Sequence, residues 1–215
     1  MQVADQSLAI APYGNEAINK IYNMLFCDNA GLYETGSIKT SYPHDVLLSS
    51  TPGTEKLNEI INDKDLDTRY KILAYHLLSK NGATINNKEL LGVIIEVGLP
   101  EGLDVIAAYQ DGTARYINYT GKLLVWDTQT DESNELVEQL FLHSDYVLRK
   151  IGPWDGERRP APAEGNVRLS FLVSDGLYFG EGPFNVLEKD AMGGPVIRSA
   201  AELMNYLIDK LVPSK

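Results

Sequence analysis

Residues 90–127 constrain this chain more than any other stretch, because they read as four short strands joined by three tight turns. Val93-Ile94-Ile95-Glu96-Val97, Val105-Ile106-Ala107-Ala108-Tyr109, Arg115-Tyr116-Ile117-Asn118-Tyr119 and Leu123-Leu124-Val125-Trp126 are rich in β-branched and aromatic residues, which suit a pleated, packed surface. Pro100-Glu101-Gly102, Asp111-Gly112 and Thr120-Gly121 separate them. Asp-Gly between two such runs predicts a hairpin with a type I′ turn, whose central residues both take positive φ.

A second hairpin is predicted further on. Val167, Leu169, Phe171 and Val173 alternate with Arg168, Ser170 and Leu172, the period of a strand with one buried face. Asp175-Gly176 turns the chain and Leu177-Tyr178-Phe179 begins the return. Helical spacing appears at Ile18, Ile21, Tyr22, Leu25 and Phe26 with Asn15 as N-cap and Gly31 as a stop, then in a brief helix from Thr54 and a longer one over Leu66–Leu78. It returns from Ser133 to Ile151, and in a terminal helix entered near Pro195. Val46-Leu47-Leu48 reads as a lone strand, while residues 1–13 and the stretch from Gly31 to Pro43 read as irregular.

The order is helices, four strands, helix, two strands, helix. The economical solution is an α+β fold with a mostly antiparallel sheet of about six strands packed with helices. A profilin-like or Roadblock-like sandwich is the nearest general analogy, and it carries no function. An N-terminal helical part (residues 1–82) and a part holding the sheet and two helices (residues 83–215) are expected to form one compact unit.

Charge and motifs exclude more than they identify. The net charge of -11 argues against non-specific attachment to nucleic acid or an anionic membrane, which needs net positive surface. Leu8-Ala9-Ile10-Ala11 is too short for a signal sequence, and no run approaches the ~18 apolar residues of a membrane span; the expectation is a cytoplasmic protein. Cys27 is the single cysteine and sits in an apolar helical run, so it reads as a buried, inert thiol. His44, His76 and His143 stand apart, with no second ligand at metal spacing, so no metal and no cofactor is expected. Neither Gly180-Glu181-Gly182-Pro183 nor Met192-Gly193-Gly194-Pro195 matches a phosphate-binding pattern. Ser174-Asp175, with His143 as the nearest histidine in sequence, is a poor triad.

Exposed-type aromatics and charges concentrate in two places: Trp154 to Pro160, inside a long Gly/Pro-rich loop, and Ser174 to Pro183. Tryptophan and arginine dominate interface hot spots because they join large area to directed polar groups. Trp154, Arg158, Arg159, Tyr178 and Glu181 are therefore the candidate binding residues, with Trp154 and the Tyr178–Glu181 segment expected on one surface. No catalytic residue is assigned. The favoured function is a non-catalytic binding or regulatory protein. Its expected partner is a protein or a small molecule, and a homodimer is left open. One rival is a small-molecule enzyme using Asp111, Asp175 or Glu181 with Arg115. Another is an acidic, immunity-type inhibitor that neutralises a basic toxin through complementary charge.

The string Val173-Ser174-Asp175-Gly176-Leu177-Tyr178-Phe179-Gly180-Glu181-Gly182-Pro183 and the turn Asp111-Gly112-Thr113-Ala114-Arg115-Tyr116-Ile117-Asn118 resemble segments of an uncharacterised bacterial protein family. The resemblance runs through most of residues 88–208 and more thinly through 15–80. That family has no known activity, so the resemblance carries no catalytic residue across. It implies bacterial origin and a compact α/β domain.

Overall fold

The computed structural model describes residues 10–34 and 41–212. Most of the irregular lead-in expected at residues 1–13, and part of the loop expected before Pro43, lie outside the described residues. The N-terminal part holds α1 (Glu16–Met24), a 3-10 turn (Ala30–Tyr33), α2 (His44–Leu47), α3 (Thr54–Asn62) and α4 (Thr68–Lys80). The meander follows as β1 (Leu90–Leu99), β2 (Gly102–Tyr109), β3 (Ala114–Ile117) and β4 (Leu123–Trp126). Then come α5 (Asp131–Leu148), β5 (Asn166–Val173), β6 (Gly176–Pro183), α6 (Phe184–Leu187) and α7 (Gly193–Leu211).

The six strands form one antiparallel sheet in the order β4-β3-β2-β1-β5-β6. Its two faces are packed differently. Val93, Ile95, Ile106, Tyr116, Trp126, Leu169 and Phe171 meet Val137, Leu140 and Leu148 of α5 and Val196, Leu203 and Leu207 of α7. On the other face Ile94, Val105, Ala107, Tyr109 and Leu172 meet Tyr22 of α1, Leu57 and Ile60 of α3, and Leu73 and Leu78 of α4. The strand β5 is therefore buried on both faces rather than one, because the N-terminal helices cover the face that Arg168 and Ser170 were expected to show to solvent.

Three local expectations are corrected. Val46-Leu47-Leu48 is not a strand: residues 44–47 form a helical turn, since a three-residue apolar run has no period to distinguish the two. The helix α1 ends at Met24, well before Gly31, and Cys27 lies beyond it with φ +52. The Asp111-Gly112 turn is not type I′. Only Gly112 has positive φ (83°), with Gly112 N–H donating to Tyr109 C=O and Tyr109 N–H to Thr113 C=O. This is a three-residue loop, a type I turn followed by a left-handed glycine.

Capping explains where α4 and α5 begin. Thr130 and Ser133 form a reciprocal capping box at α5, so Ser133 is the third helical residue and not the first. Asp67 accepts from Arg69 N–H at the start of α4, and Asp111 accepts from Thr68 N–H at 2.7 Å. The latter bond ties a hairpin loop of the meander to an N-terminal helix, a link between the two parts of the chain. Among the described residues no helix is long and apolar enough to cross a membrane.

Candidate functional site

The loop at residues 152–165 joins the end of α5 to β5 and crosses the sheet face that carries the N-terminal helices. Its two ends are held by main-chain bonds. Trp154 N–H donates to Leu177 C=O at 2.7 Å, and Gly165 N–H donates to Gly98 C=O at 2.9 Å. Between them the segment lies against β1 so closely that a Cβ on Gly98 would sit 2.2 Å from the Ala163 carbonyl oxygen. Only glycine at position 98 allows that approach.

Charge pins the middle of this strap from below. Glu96, Arg168 and Glu181 are cross-strand neighbours on β1, β5 and β6. Arg168 donates through Nε and Nη2 to Glu181 Oε2 at 2.9 and 2.8 Å, and its Nη1 lies 3.5 Å from Glu96 Oε2. The same guanidinium donates to the carbonyls of Arg159 (3.2 Å) and Pro160 (2.6 Å). Glu96 is fully buried and accepts the Tyr22 hydroxyl at 2.6 Å. Burial pushes its carboxyl up from the usual range, against the Tyr22 bond and the charges of Arg168 and Arg158.

Residues 158 and 159 then point opposite ways. Arg158 turns inward: its guanidinium stands 4.0 Å from the Phe26 ring centroid, pairs with Asp28 Oδ2 at 3.1 Å and donates to Asn23 Oδ1. Arg159 turns outward, 5.0 Å from the Trp154 ring and 5.4 Å from the Phe179 ring. Trp154 meets Phe179 edge-on at 5.2 Å between centroids and donates Nε1–H to Glu157 C=O. Its exposure is 37%. The outcome is an aromatic and cationic surface of Trp154, Arg159 and Phe179 over β6.

Of the five candidate residues, two are brought together in this surface. Glu181 lies on the same face of β6, with one carboxylate oxygen engaged by Arg168. Arg158 staples the strap to α1. Tyr178 points to the opposite face, 2% exposed, with its hydroxyl donating to Asp175 Oδ2 at 2.8 Å and Lys88 4.4 Å from its ring. Burial and that carboxylate push the Tyr178 phenol up to about 12. Strand alternation explains the exchange: Leu177, Phe179 and Glu181 share one face, and Tyr178 and Gly180 the other. Phe179 was missed, although its parity with Glu181 was the signal that could have found it.

The groups considered for catalysis are dispersed. Asp111 holds Thr68 and Thr113, Asp175 holds Tyr178, and Arg115 is bonded to Asp127 at 2.6 Å. Ser174 accepts from Glu89 N–H and donates to Asn87 C=O, whereas His143 shares a 2.9 Å hydrogen bond with Ser199 on the opposite face of the sheet. A cleft of about 100 Å³ lies between α4 and the β5–β6 hairpin, lined by Phe26, Cys27, His76, Ser174 and Leu177 among others. Burial pushes the Cys27 thiol up to about 12, so it is protonated at neutral pH. No group of side chains that could hold a metal ion occurs among the described residues.

No family model, curated protein or solved structure matches this chain.

Proposed function

We propose that this chain is a non-catalytic binding protein whose contact surface is the Trp154–Arg159–Phe179 cluster. One observation carries the reading. Arg159 is presented between two aromatic rings at the surface, while both neighbouring arginines, Arg158 and Arg168, are consumed by carboxylates. Among the described residues Arg159 has no ion pair. A cation framed by aromatic rings is the composition of an interface hot spot. The strap that carries it is anchored on both sides, so little ordering entropy is left to lose on binding. The dispersal of Asp111, Asp175, Glu181 and Arg115 into separate structural bonds supports this reading over carboxylate chemistry. A bacterial cytoplasmic setting and a protein partner complete the proposal.

The test is affinity capture from the source organism's own lysate with wild type, Trp154→Ala and Arg159→Ala as parallel baits, each shown to be folded. The expected result is one or more proteins retained by the wild type and depleted at least tenfold on both variants. A partner set unchanged by both substitutions would contradict the assignment of this surface.

A further inference from the structure

We infer that the outward face of α5 is a self-docking surface: two copies of this chain pack antiparallel through it, about a two-fold axis level with Ser144. The helix α5 lies on the sheet face opposite the strap. The inference therefore stands apart from the partner proposed above, and either can fail alone.

One stripe of α5 carries Val137, Leu140, Val147 and Leu148 and is buried against the sheet and α7. At about 3.6 residues per turn the opposite stripe holds Glu135, Glu138, Leu142, Tyr146 and Arg149, all exposed. Leu142 is 63% and Tyr146 61% exposed, more than any other large apolar side chain among the described residues. A single exposed leucine needs no explanation. These two stand one turn apart on one face, at the spacing where helical side chains meet.

Charge is ordered along the helix around this pair. Glu135 and Glu138 precede it, and Arg149 and Lys150 follow it. Among the described residues Glu135, Glu138 and Lys150 have no ion pair and no side-chain hydrogen bond. Arg149 reaches Asp145 Oδ2 through Nε at 2.8 Å and Nη2 at 2.7 Å, which leaves Nη1 free to bond elsewhere.

Turned end for end, this pattern is its own complement. An axis level with Ser144 sets Leu142 against Tyr146 of the second copy. It sets Glu138, with Glu135 one turn away, against Arg149 and Lys150 of the second copy, and symmetry repeats both contacts. Glu138 and Arg149 also lie on the same flank of the stripe, and like flanks meet in an antiparallel helix pair. A parallel pair would instead place Glu138 beside Glu138, whereas the antiparallel one also opposes the two helix dipoles. Asp131 and Glu132 extend past the last turn of the second helix and meet no like charge there. One stretch of chain supplies both halves of the match, so the occupant is a second copy and not an unrelated basic protein. Such an interface is isologous and closes at two copies.

Sedimentation equilibrium tests this. A single helix pair buries less than the ~1,600 Å² of a standard interface, so the expected dimer is weak, half-associated at about 10–100 μM. The net charge of -11 per copy opposes association at long range, so the measurement is made at about 0.15 M salt, where that repulsion is screened beyond ~8 Å. Glu138→Arg and Arg149→Glu each set like charges together across the axis, and each alone is expected to weaken dimerisation at least tenfold. Mixed in equal amounts, the two variants are expected to associate as a heterodimer about as tightly as wild type, because every cross-axis pair is again of opposite sign. That recovery also shows both variants to be folded. Leu142→Asp is expected to be a monomer with an unchanged far-UV circular dichroism spectrum. A wild type that stays monomeric to about 500 μM would overturn the inference. So would a dimer that withstands both charge reversals, or single variants that fail to associate when mixed.

Discussion

Glu96 is the residue that composition would least place where it stands: a carboxyl with no exposed surface, on the central strand of the sheet. Tyr22 and Arg168 are its partners, and Oε2 lacks a hydrogen bond within the usual distance. Its folded pKa is raised by burial, which sets the sign of its pH dependence. The stability it contributes is fully present below its unfolded pKa, near ~4.3, and is lost as pH rises through the higher folded value. Wild type is therefore expected to lose stability relative to Glu96→Gln as pH is raised from about 4. Tyr22→Phe removes a bond that lowers this pKa, so it is expected to move that loss to higher pH and to cost about 1–3 kcal/mol at neutral pH. Urea unfolding across pH 4–8 checks both, and coincident profiles for wild type and Glu96→Gln would contradict the account. Residue roles of this kind were only half legible in sequence. Arg168 read as the outward residue of an alternating strand, because nothing local reveals that a second layer will cover that face.

Elements were more legible than residues. Apolar patterning and turn residues located all six strands and the long helices to within a few positions, since both periods are properties of short windows. The turn type was not legible. Asp-Gly is compatible with two hairpin loops, and the loop length at Gln110-Asp111-Gly112 decides between them. The strap was visible only as a loop rich in glycine and proline; its course depends on Gly98, more than fifty positions earlier. Gly98→Ala is expected to push Ala163 away, costing about 1–3 kcal/mol by overpacking and raising amide exchange across residues 152–165. Unchanged exchange in that segment would mean that the close approach of β1 does not hold the strap.

At the scale of the whole molecule, one antiparallel sheet is packed with α5 and α7 on one face and the N-terminal helices on the other, and the candidate surface lies where the second layer stops. Beside α1 the strap crosses the face over β5 and β6, and Trp154 and Arg159 stand at the surface there over Phe179. The sequence pointed to Trp154 and Arg159 by residue type. It could not separate Arg159 from Arg158, because their opposite directions are set by Asn23 and Asp28 on one side and Arg168 on the other.

The central claim is that the strap presents Trp154 and does not use it to build the core. Equilibrium urea unfolding of Trp154→Ala tests this most directly. The edge-on contact with Phe179, the Arg159 contact and the Nε1–H bond, at about 0.5–1 kcal/mol each at this exposed site, are expected to sum to a loss of about 1.5–3 kcal/mol, with an unchanged dependence on urea. A loss of about 3–5 kcal/mol, the cost of deleting a buried aromatic side chain, would make the tryptophan a structural plug and contradict the claim.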